Sequence, residues 1–447
     1  MEGDSMVIVD RQRCGYCGGC VSLCPVGAIE LAETRLVIDQ TCIDCGLCLG
    51  ACPMGALSLE ADDAQRGWTA TRFREAELGH QGLALQRRYD VIVVGAGPAG
   101  STAARRAAEL GLSVLLLEKR QEIGSPVRCA EGVGYELLIP FIEPDEHWIS
   151  AVVDKAQFTT IAGDRVETRR AEGGKGYVLE RRVFDRVLAE KAVEAGAQLA
   201  VKTAARGLLI EDGVVRGVIV EGQGNAEIEA DVVIGADGVE SRVGPWAGLD
   251  TTLPQKEAMA CAQFLLSGVD IDPTCCYYYI SQELAPGGYA WVFPKGEGKA
   301  NVGLGVQADV AARPALDYLT RFVEGQPHLA QGSPVTLVVG GVPVALPPER
   351  LVTDGCLLVG DAARQVDPLT GGGITNAMTA GQYAAEVAAR AIEAGDTSAG
   401  KLTEYEERWA ATLGRKMARN YRLKERFGPA QRASRDFVRL FAVAAGA

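Results

Sequence analysis

Two short runs of the chain hold eight thiols at one repeated spacing: "CGYCGGCVSLCP", residues 14–25, and "CIDCGLCLGACP", residues 42–53. Each reads C-x2-C-x2-C-x3-C-P, with Cys14, Cys17, Cys20 and Cys24 in the first and Cys42, Cys45, Cys48 and Cys52 in the second. Three thiolates two residues apart wrap one corner of a cubane iron–sulfur cluster. The fourth lies too far round to close it and ligates the other cluster. The spacing therefore predicts one [4Fe–4S] on Cys14, Cys17, Cys20 and Cys52 and another on Cys42, Cys45, Cys48 and Cys24. A pair of zinc sites would use two Cys pairs rather than two complete runs of four. The chemistry expected here is the passage of single electrons.

A second kind of chemistry begins at "RYDVIVVGAGPAGSTAARRAAELGLSVLLLEKR". The pattern is a strand, a Gly-rich turn, a helix and a second strand ending in an acid. Gly95 permits the tight turn, Gly97 lets the backbone approach a pyrophosphate, and Gly100 lets helix and strand pack closely. The helix N-terminus faces the phosphates, and Glu118 would accept hydrogen bonds from an adenosine ribose. FAD and NAD share this turn, so the choice between them rests on later segments.

The elements that must position these residues are read from the rest of the chain. "CPVGAIEL" and "CPMGALSL" extend the cysteine repeat, so each half should be a short strand, a ligand loop and a turn of helix about a pseudo-twofold axis. Residues 63–88 show no sustained periodicity and read as a linker. The chain has 447 residues, 47% of them hydrophobic and 23% charged, as in ordinary globular proteins. A net charge of −13 argues against general nucleic-acid binding. "MEGDSMVIVD" lacks the basic start and apolar core of a signal peptide. The apolar run "VTLVVGGVPVAL" is too short to span a bilayer, which takes about 20 residues. These features point to a cytoplasmic protein, and thirteen cysteines in a chain of this kind point to metal rather than disulfides. Scattered Cys261, Cys275, Cys276 and Cys356 read as small buried hydrophobes.

Residues 5–60 resemble bacterial-type ferredoxins. "ADVVIGADGVESRVG" (230–244) and "GCLLVGDAARQVDPLTGGGITNAMTAG" (355–381) resemble the later fingerprints of para-hydroxybenzoate-hydroxylase-like flavoproteins, which favours FAD. That resemblance implies that Asp237 belongs to the second fingerprint, that Asp361 binds the ribityl chain, and that the amides near Gly372 and Gly373 face the flavin's pyrimidine end. It also implies that Arg181, in the Arg181-x-x-Phe184-Asp185 helix, reaches the FAD. Two further segments, "SPVRCAEGVG" (125–134) and "YAWVFPKGEGKANVGLG" (289–305), resemble the geranylgeranyl reductases, over about residues 88–395. The implied activity is saturation of isolated C=C bonds in isoprenoid lipids, with Cys129 beside the flavin and Tyr289 and Trp291 walling the pocket. Cys129 could gate electrons, position substrate or relay a proton, or be merely the small residue needed there; Phe293 could equally be sheet core.

An unconjugated alkene has no carbonyl to accept charge, so a proton must arrive with or before hydride. A flavin joins one-electron and two-electron chemistry, and the fused clusters suggest reduced ferredoxin or a similar low-potential donor. Two rivals stay open on sequence alone: a flavoprotein quinone oxidoreductase, and an electron-transfer module with no small-molecule substrate. The fold expected is α+β and α/β multidomain. It comprises a 2[4Fe–4S] ferredoxin-like domain (1–62), the linker (63–88), a Rossmann-type FAD domain (89–250 and 350–395), an antiparallel-sheet substrate domain (251–349) and a C-terminal helical region (396–447). Between Leu413 and Leu440, nine Lys or Arg stand against two acids. Such a basic segment could contact an anionic membrane face as a peripheral surface, or could simply be a solvated helical face.

Overall fold

The computed structural model describes residues 7–11, 14, 20–21, 23–32, 35–52, 56–59, 85–162, 165–221 and 226–445. Cys17 and most of the expected linker lie outside these residues. The chain divides into two compact units, Met1–Gln86 and a second made of Arg87–Glu221 and Asn225–Ala447.

The first unit pairs the start of each cysteine repeat with the end of the other. Strand Val7–Val9, which precedes Cys14, runs antiparallel to Leu57–Leu59, which follows Cys52. Strand Ile29–Ala32, which follows Cys24, runs antiparallel to Arg35–Ile38, which precedes Cys42. Short alternating strands bury one face: Val7, Ile29, Leu36 and Leu57 pack with Cys14, Cys20 and Cys48 in one core.

In the second unit, apolar runs with no polar alternation form a parallel sheet buried on both faces. Arg88–Val94 lies between Val114–Leu117 and Ala226–Gly235, parallel to both. Cys356–Leu358 is parallel to Ala226–Gly235, which brings the segment before Asp361 beside the first Gly-rich turn. Helix Pro98–Glu109 follows that turn, with Pro at its first position, where the missing N–H costs nothing. Its small residues, Ala99 to Ala104 and Ala107, are buried.

A second, eight-stranded sheet runs in the order Ser333–Pro343, Ala258–Ser267, Lys299–Gln307, Tyr289–Pro294, Cys275–Ile280, Ile149–Ala162, Arg165–Leu179 and Gly132–Gly134. The sequence boundary at residue 250 therefore does not separate the two sheets, because three of these strands come from before it. Period-2 alternation gives this sheet two different faces. Ala262, Leu266, Val302 and Leu304 pack with Leu319 and Phe322 of helix Ala315–Glu324. The opposite face carries Tyr289, Trp291 and Phe293.

The basic C-terminal segment is helical over Arg415–Arg426 and Arg435–Ala444. Lys424 and Arg432 are buried, whereas the other seven cations are exposed. Lys424 pairs with buried Glu257 at 2.8 Å and also donates to the Val344 carbonyl. Two of the nine charges thus hold the fold together rather than face a surface. Among the described residues no helix is long and apolar enough to cross a membrane.

Candidate functional site

In the first unit the two repeats place their fourth cysteines alike. Ala28 N–H donates to Cys24 Sγ at 3.2 Å, and Ala56 N–H donates to Cys52 Sγ at the same distance. Hydrogen bonds to the sulfurs are one of the levers that set an iron–sulfur cluster's potential. Cys14, Cys20 and Cys48 are buried, Cys24, Cys42 and Cys52 half-buried and Cys45 exposed. Burial pushes the Cys48 thiol up, helped by neighbouring Cys20, Cys42 and Cys45. Among the described residues no three His, Cys, Asp or Glu side chains gather around a point for a single metal ion. The donor set, thiolates with N–H···S bonds in an apolar core, is nevertheless the one that iron–sulfur clusters take.

In the second unit one cavity of about 820 Å³ is walled by strands of the second sheet and by the loops and helix starts that follow the strands of the first. Gly97, Asp361, Gly372, Gly373 and Arg181 line it, and so do Cys129, Tyr289 and Trp291. Residues expected at the flavin and residues expected at the alkene are therefore brought to one space. Phe293 lines it too, and so serves as wall and as sheet core.

The nucleotide end fits a dinucleotide. Gly95 has φ +106°, a conformation closed to most side chains. A Cβ at Gly100 would lie 1.8 Å from the Gly95 carbonyl oxygen, whereas one at Gly97 would meet nothing. The turn is thus packed tight behind and open in front, where the first amides of the uncapped helix point. Glu118 accepts from the amides of Ala96 (3.2 Å) and Arg120 (2.9 Å), which fixes its carboxylate beside the turn. Asp237 Oδ2 caps the amides of Arg242 and Val243, while its Oδ1 is buried without a partner among the described residues. A buried orphan acceptor of this kind is what a ligand hydroxyl would satisfy. Burial pushes the Asp361 carboxyl up, and nearby Arg181 opposes the rise. Helix Ile374–Glu393 starts at Gly373 with no side-chain cap, leaving its amides available at the cavity wall.

Not every expected residue faces the cavity. Gly95, Gly100, Glu118 and Asp237 are not among its lining residues. Arg181 reaches the wall but is held by a two-point pair with Asp185 at 2.6 and 2.8 Å. Burial opposes its charge, yet Asp185 and the Cys129 thiol outweigh burial and push its pKa up.

Cys129 lines the cavity and is held at both its sulfur and its carbonyl. Its Sγ accepts from Glu131 N–H at 3.2 Å, with the charge of Arg181 acting on it, and its carbonyl accepts from Gln263 Nε2 at 3.0 Å. Burial dominates over Arg181 and raises the thiol pKa, so the resting group keeps its proton. Glu131, at φ +73°, is itself anchored by Lys295 (2.9 Å), Asn301 Nδ2 (2.6 Å) and the Arg181 amide (2.8 Å). Sequence reasoning missed Glu131, Lys295, Asn301 and Gln263. Glu131 sits two residues past Cys129, and Lys295 directly follows Pro294, so adjacency to the motifs was the available signal.

The apolar side of the cavity is an aromatic box. Tyr278 stacks on Phe158 (5.0 Å) and meets Phe293 edge-on (5.4 Å), and Phe441 of the last helix meets Tyr289 at 5.0 Å. Tyr289 O–H donates to the Thr370 carbonyl, and Asp367 gathers the same loop through the amides of Leu369 and Thr370. Buried Asn420 donates to Asp367 at 2.7 Å, tying the C-terminal helices to this wall. Burial pushes the phenols of Tyr278 and Tyr289 well up, so both stay neutral.

The chain is similar to known proteins over most of its length. The geranylgeranyl reductase catalytic domain model matches residues 257–342, an FAD binding domain model 90–138 and a 4Fe-4S dicluster domain model 6–53. The chain is 54% identical over 334 residues to the digeranylgeranylglycerophospholipid reductase of Methanosarcina acetivorans, covering 73% of this chain and 81% of that one. It is 53% identical over 344 residues to the protein of that name from Methanothrix thermoacetophila, covering 76% and 88%. A crystal structure of a geranylgeranyl bacteriochlorophyll reductase-like protein from Thermoplasma acidophilum superposes with a TM-score of 0.75 at 41% identity, covering 81% of this chain and 92% of that one.

Proposed function

The chain belongs to the geranylgeranyl reductase family, and from that premise we propose that it saturates C=C bonds in geranylgeranyl chains of glycerophospholipids, with FAD and two [4Fe–4S] clusters as cofactors. The observation that carries this reading is the shared cavity. It is open to a dinucleotide at Gly97, Asp361 and Gly373, and aromatic and apolar around Cys129, Tyr289 and Trp291.

Bound FAD supplies hydride chemistry and the clusters supply single electrons. The protein's own side chains do the rest. Gly97 and the amides after it seat the pyrophosphate, Glu118 the adenosine ribose, and Asp361 the ribityl chain. The amides at Gly372 and Gly373 favour negative charge at the pyrimidine end. The aromatic box excludes water from an isoprenoid chain. It also presents ring faces to the carbon on which positive charge develops, each good contact contributing about 0.5–2 kcal/mol. Cys129 holds its proton at Sγ beside the Arg181 guanidinium, which would stabilise the thiolate left if that proton moved.

In the first unit the strand pairing supports exchange of fourth ligands, because Cys52 belongs to the segment hydrogen-bonded beside Cys14, and Cys24 to that beside Cys42. Cys14, Cys17, Cys20 and Cys52 would hold one cluster, and Cys42, Cys45, Cys48 and Cys24 the other. A low-potential donor such as reduced ferredoxin would feed them. Exposed Arg415, Lys416, Arg419 and Arg422 would favour peripheral contact with an anionic lipid surface, at about 1 kcal/mol per cation near it.

The test is anaerobic incubation of the holoprotein with dithionite and a panel of geranylgeranyl lipids and quinones, read by mass spectrometry. A gain of about two mass units per bond on the lipids is the expected result. Reduction of quinone with no gain on any lipid would overturn the reading.

A further inference from the structure

Three neighbouring strands of the second sheet carry Trp291, Gly303 and Gln263 directly abreast. The register pairs Trp291 with Gly303 and Gly303 with Gln263. The middle position has no side chain, and the indole lies across it. A Cβ at Gly303 would stand 2.5 Å from Trp291 Cζ2 and 2.6 Å from its Cε2. By crossing the glycine, Trp291 Nε1 reaches the strand beyond and donates to Gln263 Oε1 at 2.8 Å. The other end of the same amide donates from Nε2 to the Cys129 carbonyl at 3.0 Å. Both Gln263 and Trp291 are buried, at 5% and 8% exposure.

The chemistry of the three groups leaves one arrangement. An indole N–H only donates and a backbone carbonyl only accepts, so the residue between them must accept at one atom and donate at the next. A primary amide does this without charge; a carboxylate would have no proton for the carbonyl. The amide orientation is fixed by the same argument, since the flipped form would set donor against donor and acceptor against acceptor.

We propose that Gln263 is a positioning residue that locks Cys129 to Trp291 across the gap left by Gly303. Trp291 then acts on the site through its N–H as well as its ring, and Gly303 is small so that the indole can cross. This rests on the reading of the cavity as the flavin and lipid site, but one of its readouts needs no substrate.

The experiment uses the holoprotein with FAD bound, in four forms: wild type, Gln263→Leu, Trp291→Phe and the double variant. The first readout is the rate at which iodoacetamide alkylates Cys129, followed by peptide mass spectrometry. The second is kcat and KM for the lipid that the wild type reduces. Both single variants should alkylate about tenfold faster and lose about tenfold in kcat with KM nearly unchanged, and the double variant should be no worse than either, because both cut one chain.

Phe keeps an aromatic wall, so Trp291→Phe with wild-type alkylation and kcat would overturn the proposal. So would effects that multiply in the double variant. If Gln263→Leu does not fold, Trp291→Phe and Trp291→Leu decide: equal losses support the lock, whereas a Phe variant that retains kcat overturns it. A wild type that reduces no lipid would refute the functional reading while leaving the alkylation result to judge the lock.

Discussion

The two units differ in how far apart their chemistry lies along the chain. In the first, eight thiols fall within 39 residues, and the strands that bring the repeats together flank them directly. In the second, the cavity is assembled from Gly97, Cys129, Trp291 and Asp361, spread over 265 residues and brought together by sheet order. A cluster site is thus specified by local spacing and needs little fold around it. A flavin and lipid site needs two sheets in correct register before any of its residues meet.

If the contrast is real, the second unit should stand without the first. Deleting residues 1–62 should leave FAD bound, because Gly97, Asp361 and Gly373 and the core behind them belong to the other unit. Alkene reduction driven by a chemical reductant should persist. Turnover driven by reduced ferredoxin should fall by about a hundredfold or more, since single electrons lose their route. Loss of FAD on deletion would break the comparison outright, and undiminished ferredoxin-driven turnover would show that the clusters are not the route.

A smaller effect tests how the dispersed site is held. Lys295 and Glu131 pair at 2.9 Å with both side chains 5% exposed. Removing one partner strands the other's charge in a buried place, which costs about 3–5 kcal/mol. Lys295→Met should therefore lower the denaturant midpoint for flavin release substantially, and Glu131→Gln added to it should recover part of the loss. A midpoint within error of wild type would mean that Glu131 is held well enough by Asn301 and the Arg181 amide alone.

The same contrast explains what was legible in the sequence. The cysteine runs and the Gly95-x-Gly97-x-x-Gly100 turn could be read because each acts on groups within a few residues of itself. Residue 250 misled as a boundary because strands 149–162 and 165–179 owe their place to pairing with Cys275–Ile280 and with each other. Nothing in their own pattern names that partner. Gln263 was invisible for a similar reason: its hydrogen bonds span 28 residues to Trp291 and 134 to Cys129. The basic segment was legible only in part. Composition counted nine cations, and only the fold shows that Lys424 and Arg432 are spent on Glu257, Val344, Gln307 and other buried partners.

The smallest effect sets a buried pair against an exposed one beside the same cavity. Glu240 meets Lys119 at 2.9 Å and also pairs with Arg128, the residue before Cys129. Hydrogen bonds from Lys119 and Arg128 pull its pKa down from 4.5 to about 2. A carboxyl depressed on folding contributes stability above its unfolded pKa, and that contribution is lost as pH falls through the folded value. The window here runs from about pH 4.5 down to about 2. All three side chains are 43–50% exposed, so solvent screening holds the contribution to about 1 kcal/mol or less. Glu240→Gln should thus lower stability slightly at pH 7, more at low salt than at high, and the difference from wild type should vanish as pH falls through that window. The check is the flavin-release midpoint of both proteins across pH at two salt concentrations. A loss as large as that of Lys295→Met would mean that charge at this rim is bound to Cys129 as firmly as charge in the core. A small, salt-sensitive loss means that burial, rather than the number of ion pairs, decides which charges hold the site.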